Sequence, residues 1–211
     1  ENFLEEKLNL KWAKDRNVAI APNGAMFKRD KQGFLPELME KMYTERVVYK
    51  KKAIEAKKEF QKTKDPIYSN EISRCHNIQM AKKISLNSAY GAIGNQYFRY
   101  FDVKQAEAIT LGGQLSIRWV ERDVNRFMNK LLGTDNKNYV VASDTDSIYL
   151  KLDTLVEKVC KGKSTKQIVE FLNKAAEDKI QKVIDDSYQN LAHYVNAYQQ
   201  KMIMKREAIA N

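Results

Sequence analysis

Two aspartates separated by one residue, Asp144 and Asp146, interrupt an otherwise apolar stretch in Ser143-Asp144-Thr145-Asp146-Ser147. Carboxylates between apolar runs are costly unless they are exposed at a turn or paired with a cation. Hard divalent cations such as Mg²⁺ take oxygen ligands, and commonly use one or two carboxylates together with substrate phosphates. The same letters also suit a plain hairpin turn, because aspartate favours turns for backbone reasons. Glu207 can join the two aspartates only if the segment carrying it lies alongside them; otherwise it is a solvated edge residue. A second group is Lys83, Asn87 and Tyr90, spaced four and three apart. On a helix they share one face. A cation, an amide and an aromatic ring suit a triphosphate, a sugar and a base, and they equally suit an ordinary amphipathic helix. Arg46 and Lys50 form another basic pair at i, i+4.

These side chains need elements to hold them. Residues 139–142 and 147–152 read as two apolar strands around the aspartate pair, which places the carboxylates at a hairpin tip. Residues 37–62 carry a thin apolar stripe through Leu38, Met42, Tyr49, Ile54 and Phe60 and read as a long helix. Asp65-Pro66 breaks it, and Ser69 or Asn70 is placed to cap a following helix from about Glu71 to Leu86 or beyond. Two long helices with a short connection make an antiparallel hairpin. Residues 104–132, with Ala108, Leu111, Leu115, Trp119, Val124, Phe127 and Leu131, form the helix most suited to a core.

Elsewhere, residues 2–12 read as a short helix, and residues 18–35 as small antiparallel strands around Pro22-Asn23-Gly24, with a strand at Phe34-Leu35. Residues 96–101 read as an extended aromatic segment. Ser164 caps a last helix to about Tyr198, and residues 202–208 return as a strand. The expected fold is α+β: an antiparallel sheet backed by long helices, with a protruding two-helix hairpin.

The chain has 211 residues, with 37 Lys and Arg against 27 Asp and Glu, a formal charge of +10. Such an excess points to an anionic partner, most often nucleic acid. Residues 41–64 alone hold nine basic residues against three glutamates. The two cysteines, Cys75 and Cys160, make no disulfide framework or metal spacing. There is no apolar run of the ~20 residues that a membrane-spanning helix needs. No glycine-rich phosphate loop, dinucleotide fingerprint or nucleophile elbow is present.

The ordered motifs carry a resemblance. Lys83-Ile84-Ser85-Leu86-Asn87-Ser88-Ala89-Tyr90-Gly91 resembles the Lys-x3-Asn-Ser-x-Tyr-Gly motif of the family B DNA polymerases. Ser143-Asp144-Thr145-Asp146-Ser147 resembles their Asp-Thr-Asp-Ser metal motif, and Phe98-Arg99-Tyr100 and the stretch through Gly133-Thr134 are most similar to the replicative enzymes of T4-like bacteriophages. The resemblance implies a palm sheet and a fingers hairpin: residues 1–36 and 96–211 as palm, 37–95 as fingers. It implies that Asp146 is a ligand shared by two catalytic Mg²⁺ ions, with Asp144 less directly involved and Glu207 close to the metals. It assigns Lys83, Arg46 and Lys50 to the incoming triphosphate, Asn87 to the same fingers face, and Tyr90 to the nascent pair and its sugar.

The implied activity is template-directed transfer of deoxynucleotides to a primer 3′ end. The implied partners are primer–template DNA, deoxynucleoside triphosphates and a sliding clamp, in the cytoplasm of an infected bacterium and away from membranes. The family's first metal motif, an aspartate before Ser-Leu-Tyr-Pro-Ser, is not found in these 211 residues, nor is a thumb or proofreading exonuclease. A chain with one half of the metal clamp is expected to be inactive alone, completed by segments of a parent chain or a split subunit. The other reading is a non-catalytic DNA-binding or assembly module on a polymerase-like scaffold.

Overall fold

The computed structural model describes residues 1–210. The elements run α1 (Lys11–Asp15), β1 (Val18–Ile20), β2 (Met26–Lys28), α2 (Phe34–Thr63), α3 (Pro66–Ile93), α4 (Val103–Leu132), β3 (Val140–Asp144), β4 (Ser147–Leu150), α5 (Asp153–Val159), α6 (Thr165–Ala175), a π-helical turn (Ala176–Ile180) and α7 (Gln181–Tyr194). The mixture of helix and antiparallel strand fits the α+β expectation. The described strands form two separate two-stranded sheets, β1–β2 and β3–β4, where one larger sheet was expected. The chain divides into two units, one of residues 30–106 and one of residues 1–29 with the chain from 107 onward.

The unit of residues 30–106 is built on α2 and α3. The expected strand at Phe34-Leu35 is instead the first turn of α2, closed by the Glu37 amide on the Gly33 carbonyl at 3.0 Å. Pro36 sits in that turn, where its missing N–H is not needed. At the far end Lys64 takes a left-handed conformation (φ 59°) and ends α2. Asp65 then caps α3, its side chain accepting from the Ile67 amide at 2.9 Å, with Pro66 at the first helical position. The start of α3 therefore lies earlier than a cap at Ser69 or Asn70 would put it, because proline at N1 opens a helix as readily as it closes one.

The helices run antiparallel, joined by an ion pair between Glu45 and Lys82. Only Ala56 of α2, and Cys75 and Ile93 of α3, are buried, in keeping with the thin apolar stripe. Residues 96–101 are not extended. They form successive turns in which the Phe98 amide bonds to Asn95 and the Phe101 amide to Phe98, started by Asn95 Oδ1 accepting from the Tyr97 amide at 3.0 Å. Asparagine's local bond competes with a strand ladder.

The other unit holds the main core. Val120, Val124, Met128 and Leu132 recur every four residues along α4 and pack with Tyr139, Val140, Leu155, Leu172, Ile184 and Tyr188. Leu131, expected in this stripe, is 43% exposed; the buried row runs through Met128 and Leu132. Residues 2–6 make turns and 7–10 are irregular in place of the expected helix, with Glu6 left-handed (φ 55°). Their backbone groups are taken by tertiary partners: Arg122 donates to the Leu4 carbonyl, and the Leu8 amide donates to the Tyr194 hydroxyl at 3.2 Å. A buried backbone group needs a partner, but not a helical one.

Gly24 (φ +81°) makes the turn between β1 and β2, its amide bonding to Ala21 at 2.9 Å. Ser164 and Gln167 form a reciprocal capping box at the start of α6. The helical run from there passes through the π turn and ends at Tyr194, short of Tyr198. Asn196 is left-handed (φ 52°), and its Nδ2 donates to the carbonyls of Val18 (2.8 Å) and Ala13 (3.2 Å). That bond stops the helix and ties it to β1. Residues 202–208 are irregular where a strand was expected, although Met204 and Ile209 pack on the core.

Candidate functional site

Asn125 of α4 determines where the aspartate hairpin starts. Its Oδ1 accepts from the amides of Tyr139 (2.8 Å) and Val140 (3.0 Å), so the entry of β3 is fastened to the helix. From there β3 and β4 pair antiparallel, with Val140 opposite Leu150, a bulge at Val141, and Asp144 opposite Ser147. Val140 is buried, whereas Val141 is 59% exposed and Tyr149 57% exposed, so one face of the hairpin packs inward and the other is open.

Asp144 is the last residue of β3, and Asp146 lies in the two-residue loop. The Asp146 amide bonds to the Asp144 carbonyl at 2.6 Å, bracketing Thr145 at φ 54°. A β-branched residue at positive φ is sparsely populated and strained. The tip is held further by the Thr145 hydroxyl, which donates to Asp144 Oδ1 at 3.0 Å, and the Ser147 hydroxyl, directed at Asp146 Oδ1 at 3.5 Å. Both carboxylates are exposed. The Tyr188 phenol on α7 is pushed above its ordinary pKa, first by burial and then by the Asp146 charge.

Glu207 is exposed in the irregular segment. Among the described residues no group of three or more His, Cys, Asp or Glu side chains is placed to hold a metal ion, so Glu207 does not complete a three-acid group with Asp144 and Asp146. The segment around it is nevertheless docked: Gln181 Nε2 donates to the Met204 carbonyl at 2.8 Å, and Arg206 lies 3.6 Å from Glu177.

In the helical-hairpin unit, Lys83, Asn87 and Tyr90 all fall on α3 and are all exposed, Tyr90 at 46%. Lys82, one position away, points instead to Glu45 of α2, whose carboxyl it holds below the usual range. The Lys82 charge is thus compensated within the hairpin, while Lys83 is directed elsewhere. On α2, Lys50 is exposed and Arg46 is half-buried, with its Nε enclosed and without a hydrogen-bond partner. Such a donor is unusual and needs an acceptor. A recess of about 410 Å³ between the helices is lined by Tyr49, Lys52, Ile78 and Lys82, and by none of the five residues expected to bind a nucleotide. Asn125 was not among the expected site residues. Its only sequence signal is an amide beside Val124 in the helix richest in core residues.

The hairpin tip thus offers exposed carboxylate oxygens of the type that hard cations take, and the two-helix unit carries a run of basic side chains. The chain belongs to DNA polymerase family B, whose model matches residues 2–203. It is 33% identical to the DNA-directed DNA polymerase of Enterobacteria phage T4 over 91% of this chain and 26% of that protein. It is 30% identical to the DNA-directed DNA polymerase of Escherichia phage RB69, again over 91% of this chain and 26% of the relative. DNA polymerase 1 of Pyrococcus abyssi is 30% identical over 82% of this chain and 20% of its own length. The chain therefore spans about a quarter of the phage relatives. The resemblance carried by the motifs at 83–91 and 143–147 holds at the level of the family and of its T4-like phage members.

Proposed function

We propose that this chain is the palm and fingers portion of a replicative DNA-directed DNA polymerase. In this reading residues 37–95 are the fingers, and residues 1–36 and 96–211 belong to the palm. The observation that carries it is the aspartate hairpin, displayed at an exposed tip in a chain that matches the family over nearly its whole length. The open face at Val141 and Tyr149 supports a larger sheet, completed by strands from outside this chain.

Asp144 and Asp146 offer exposed carboxylate oxygens, the donor type that Mg²⁺ takes, but only two side chains of it. The residues present fit half of a two-metal clamp. When bound, paired Mg²⁺ would supply charge neutralisation at the attacking and leaving oxygens. Asp146 would hold one corner of that pair, with Asp144 beside it and Glu207 further out. Lys83, Arg46 and Lys50 would neutralise and orient the triphosphate of an incoming deoxynucleotide, Asn87 would support the same face, and Tyr90 would pack against the sugar of the new pair. The protein's contribution is positioning and electrostatics. Primer–template DNA and a sliding clamp are the macromolecular partners, and the setting is an infected bacterial cell. No described helix is long and apolar enough to cross a membrane.

Primer extension tests the reading. The chain alone is expected to give none, because the opposing carboxylate motif is not in its sequence. Supplied with segments bearing that motif and a thumb, it should extend. In the completed enzyme Asp146→Ala should abolish extension, and Lys83→Ala should mainly weaken nucleotide use. Full activity of Asp146→Ala would refute the site assignment. DNA binding with no extension in the completed assembly would favour a non-catalytic module instead.

A further inference from the structure

Residues 202–208, which carry Glu207, are neither strand nor helix. Side chains must therefore hold a segment that no ladder holds. Gln181, the first residue of α7, does so directly. Its Nε2 donates to the Met204 carbonyl at 2.8 Å and to Asp185 Oδ1 at 2.9 Å. A glutamine amide carries two N–H donors, one for each acceptor. Asp185 lies one turn further along α7, so its bond fixes the orientation of the amide and leaves the other N–H for residue 204. Gln181 is half-buried, and Met204 and Ile209, on either side of Glu207 in sequence, pack on the core. The Arg206–Glu177 pair, at 3.6 Å and with Glu177 68% exposed, adds little of its own.

The π turn sets the direction of Gln181. Leu172 lies before the turn, Ile180 at its end and Ile184 beyond it, and all three are buried in one core. Eight residues of unbroken α-helix would leave Leu172 and Ile180 about 80° apart around the axis. The wider π turn takes up that offset. Gln181, next to Ile180, is carried round with it to the rim of the core, where the Met204 carbonyl lies. Turns of this kind are frequent at functional sites, and the candidate functional residue on the segment held here is Glu207, three positions past Met204.

We propose that Gln181 is a positioning residue for Glu207, fixing through the Met204 carbonyl where that carboxylate lies against the palm. The role toward catalysis rests on the polymerase reading; the anchor is measurable without it. Trypsin can cut the segment after Lys205 and Arg206, and in the isolated chain the rate there follows the open population of the segment. Gln181→Leu loses both donors and should speed this cleavage about five- to tenfold, the scale of one lost hydrogen bond. Gln181→Glu has the same shape without a donor and should behave alike, whereas Gln181→Lys restores a donor and should recover most of the loss. Leu, Glu and Lys are all good helix formers, so the variants should fold, which far-ultraviolet circular dichroism verifies. Leu and Glu variants cut at the wild-type rate would overturn the anchor. In the completed enzyme, Gln181→Leu should need several times more Mg²⁺ for half-maximal primer extension, with the nucleotide KM at saturating Mg²⁺ unchanged. Mere loss of stability would lower the maximal rate and leave the Mg²⁺ midpoint where it was, so an unmoved midpoint would overturn the positioning role. No extension by the unsubstituted assembly would overturn the polymerase reading and with it the role of Glu207, while cleavage of the chain alone still decides the anchor.

Discussion

Replacing Asn125 with alanine isolates the contact that places the aspartate hairpin. In the wild-type chain one side-chain oxygen satisfies two backbone amides, those of Tyr139 and Val140, at 2.8 and 3.0 Å. Tyr139 is 1% exposed and Val140 5%, so water cannot readily replace the lost acceptor. Each orphaned buried donor costs about 1–3 kcal/mol. Partial relaxation at the strand entry should keep the pair at roughly 2–4 kcal/mol. At about 2–4 °C per kcal/mol for a chain of this size, the midpoint of thermal unfolding should fall by roughly 5–15 °C.

The assay is urea and thermal unfolding followed by the emission of buried Trp119, with hydrogen exchange at the Val140 amide as the local readout. Asn125→Asp keeps an acceptor oxygen in place and should recover more than half of the loss, whereas Asn125→Leu should not. If alanine changes stability by less than about 0.5 kcal/mol, the surface-substitution range, or if aspartate is no better than alanine, the fastening of β3 to α4 is not what holds the hairpin entry.

Other outcomes follow from the same reasoning. Asp65→Ala removes the cap of α3 and should weaken the helical hairpin by about 1 kcal/mol, seen as faster hydrogen exchange in its first turn; unchanged exchange there would discount the cap. DNA binding by the chain should be independent of sequence and fall steeply between 50 and 300 mM salt, with each of Lys50, Lys51 and Lys52 that contacts a phosphate lowering the log–log slope by about 0.9 when neutralised; a salt-independent affinity would exclude phosphate-dominated binding. Glu71 is held at about 2 by hydrogen bonds from Arg74 and Cys75. For a depressed carboxylate the contribution is present above the ordinary value of 4.5 and lost as pH falls toward 2, so protection around Glu71, near the start of α3, should decline over that window and Glu71→Gln should remove the dependence. A Glu71 carboxyl that titrates by NMR at its ordinary value would contradict this.

What could be read in advance came from local chemistry. The aspartate pair between two apolar runs specifies a turn, because both the cost of burying charge and the backbone preference of aspartate act over a few residues. Proline after Asp65 and the sparse apolar stripes likewise placed α2 and α3 within a few residues. The family was legible because its motifs are short and contiguous, at 83–91 and 143–147. Tertiary partners decided the rest. Residues 2–10 lack a helix because Arg122 and Tyr194, more than a hundred positions away, take their backbone groups. The last helix ends at Tyr194 because Asn196 reaches back to Ala13 and Val18. The strand expected at 202–208 has no neighbour to pair with among the described residues, and a strand without a ladder has nothing to satisfy its backbone. Which lysine of the adjacent pair is free and which is bound was settled by Glu45 on the facing helix, a contact across 37 positions that spacing along α3 cannot register.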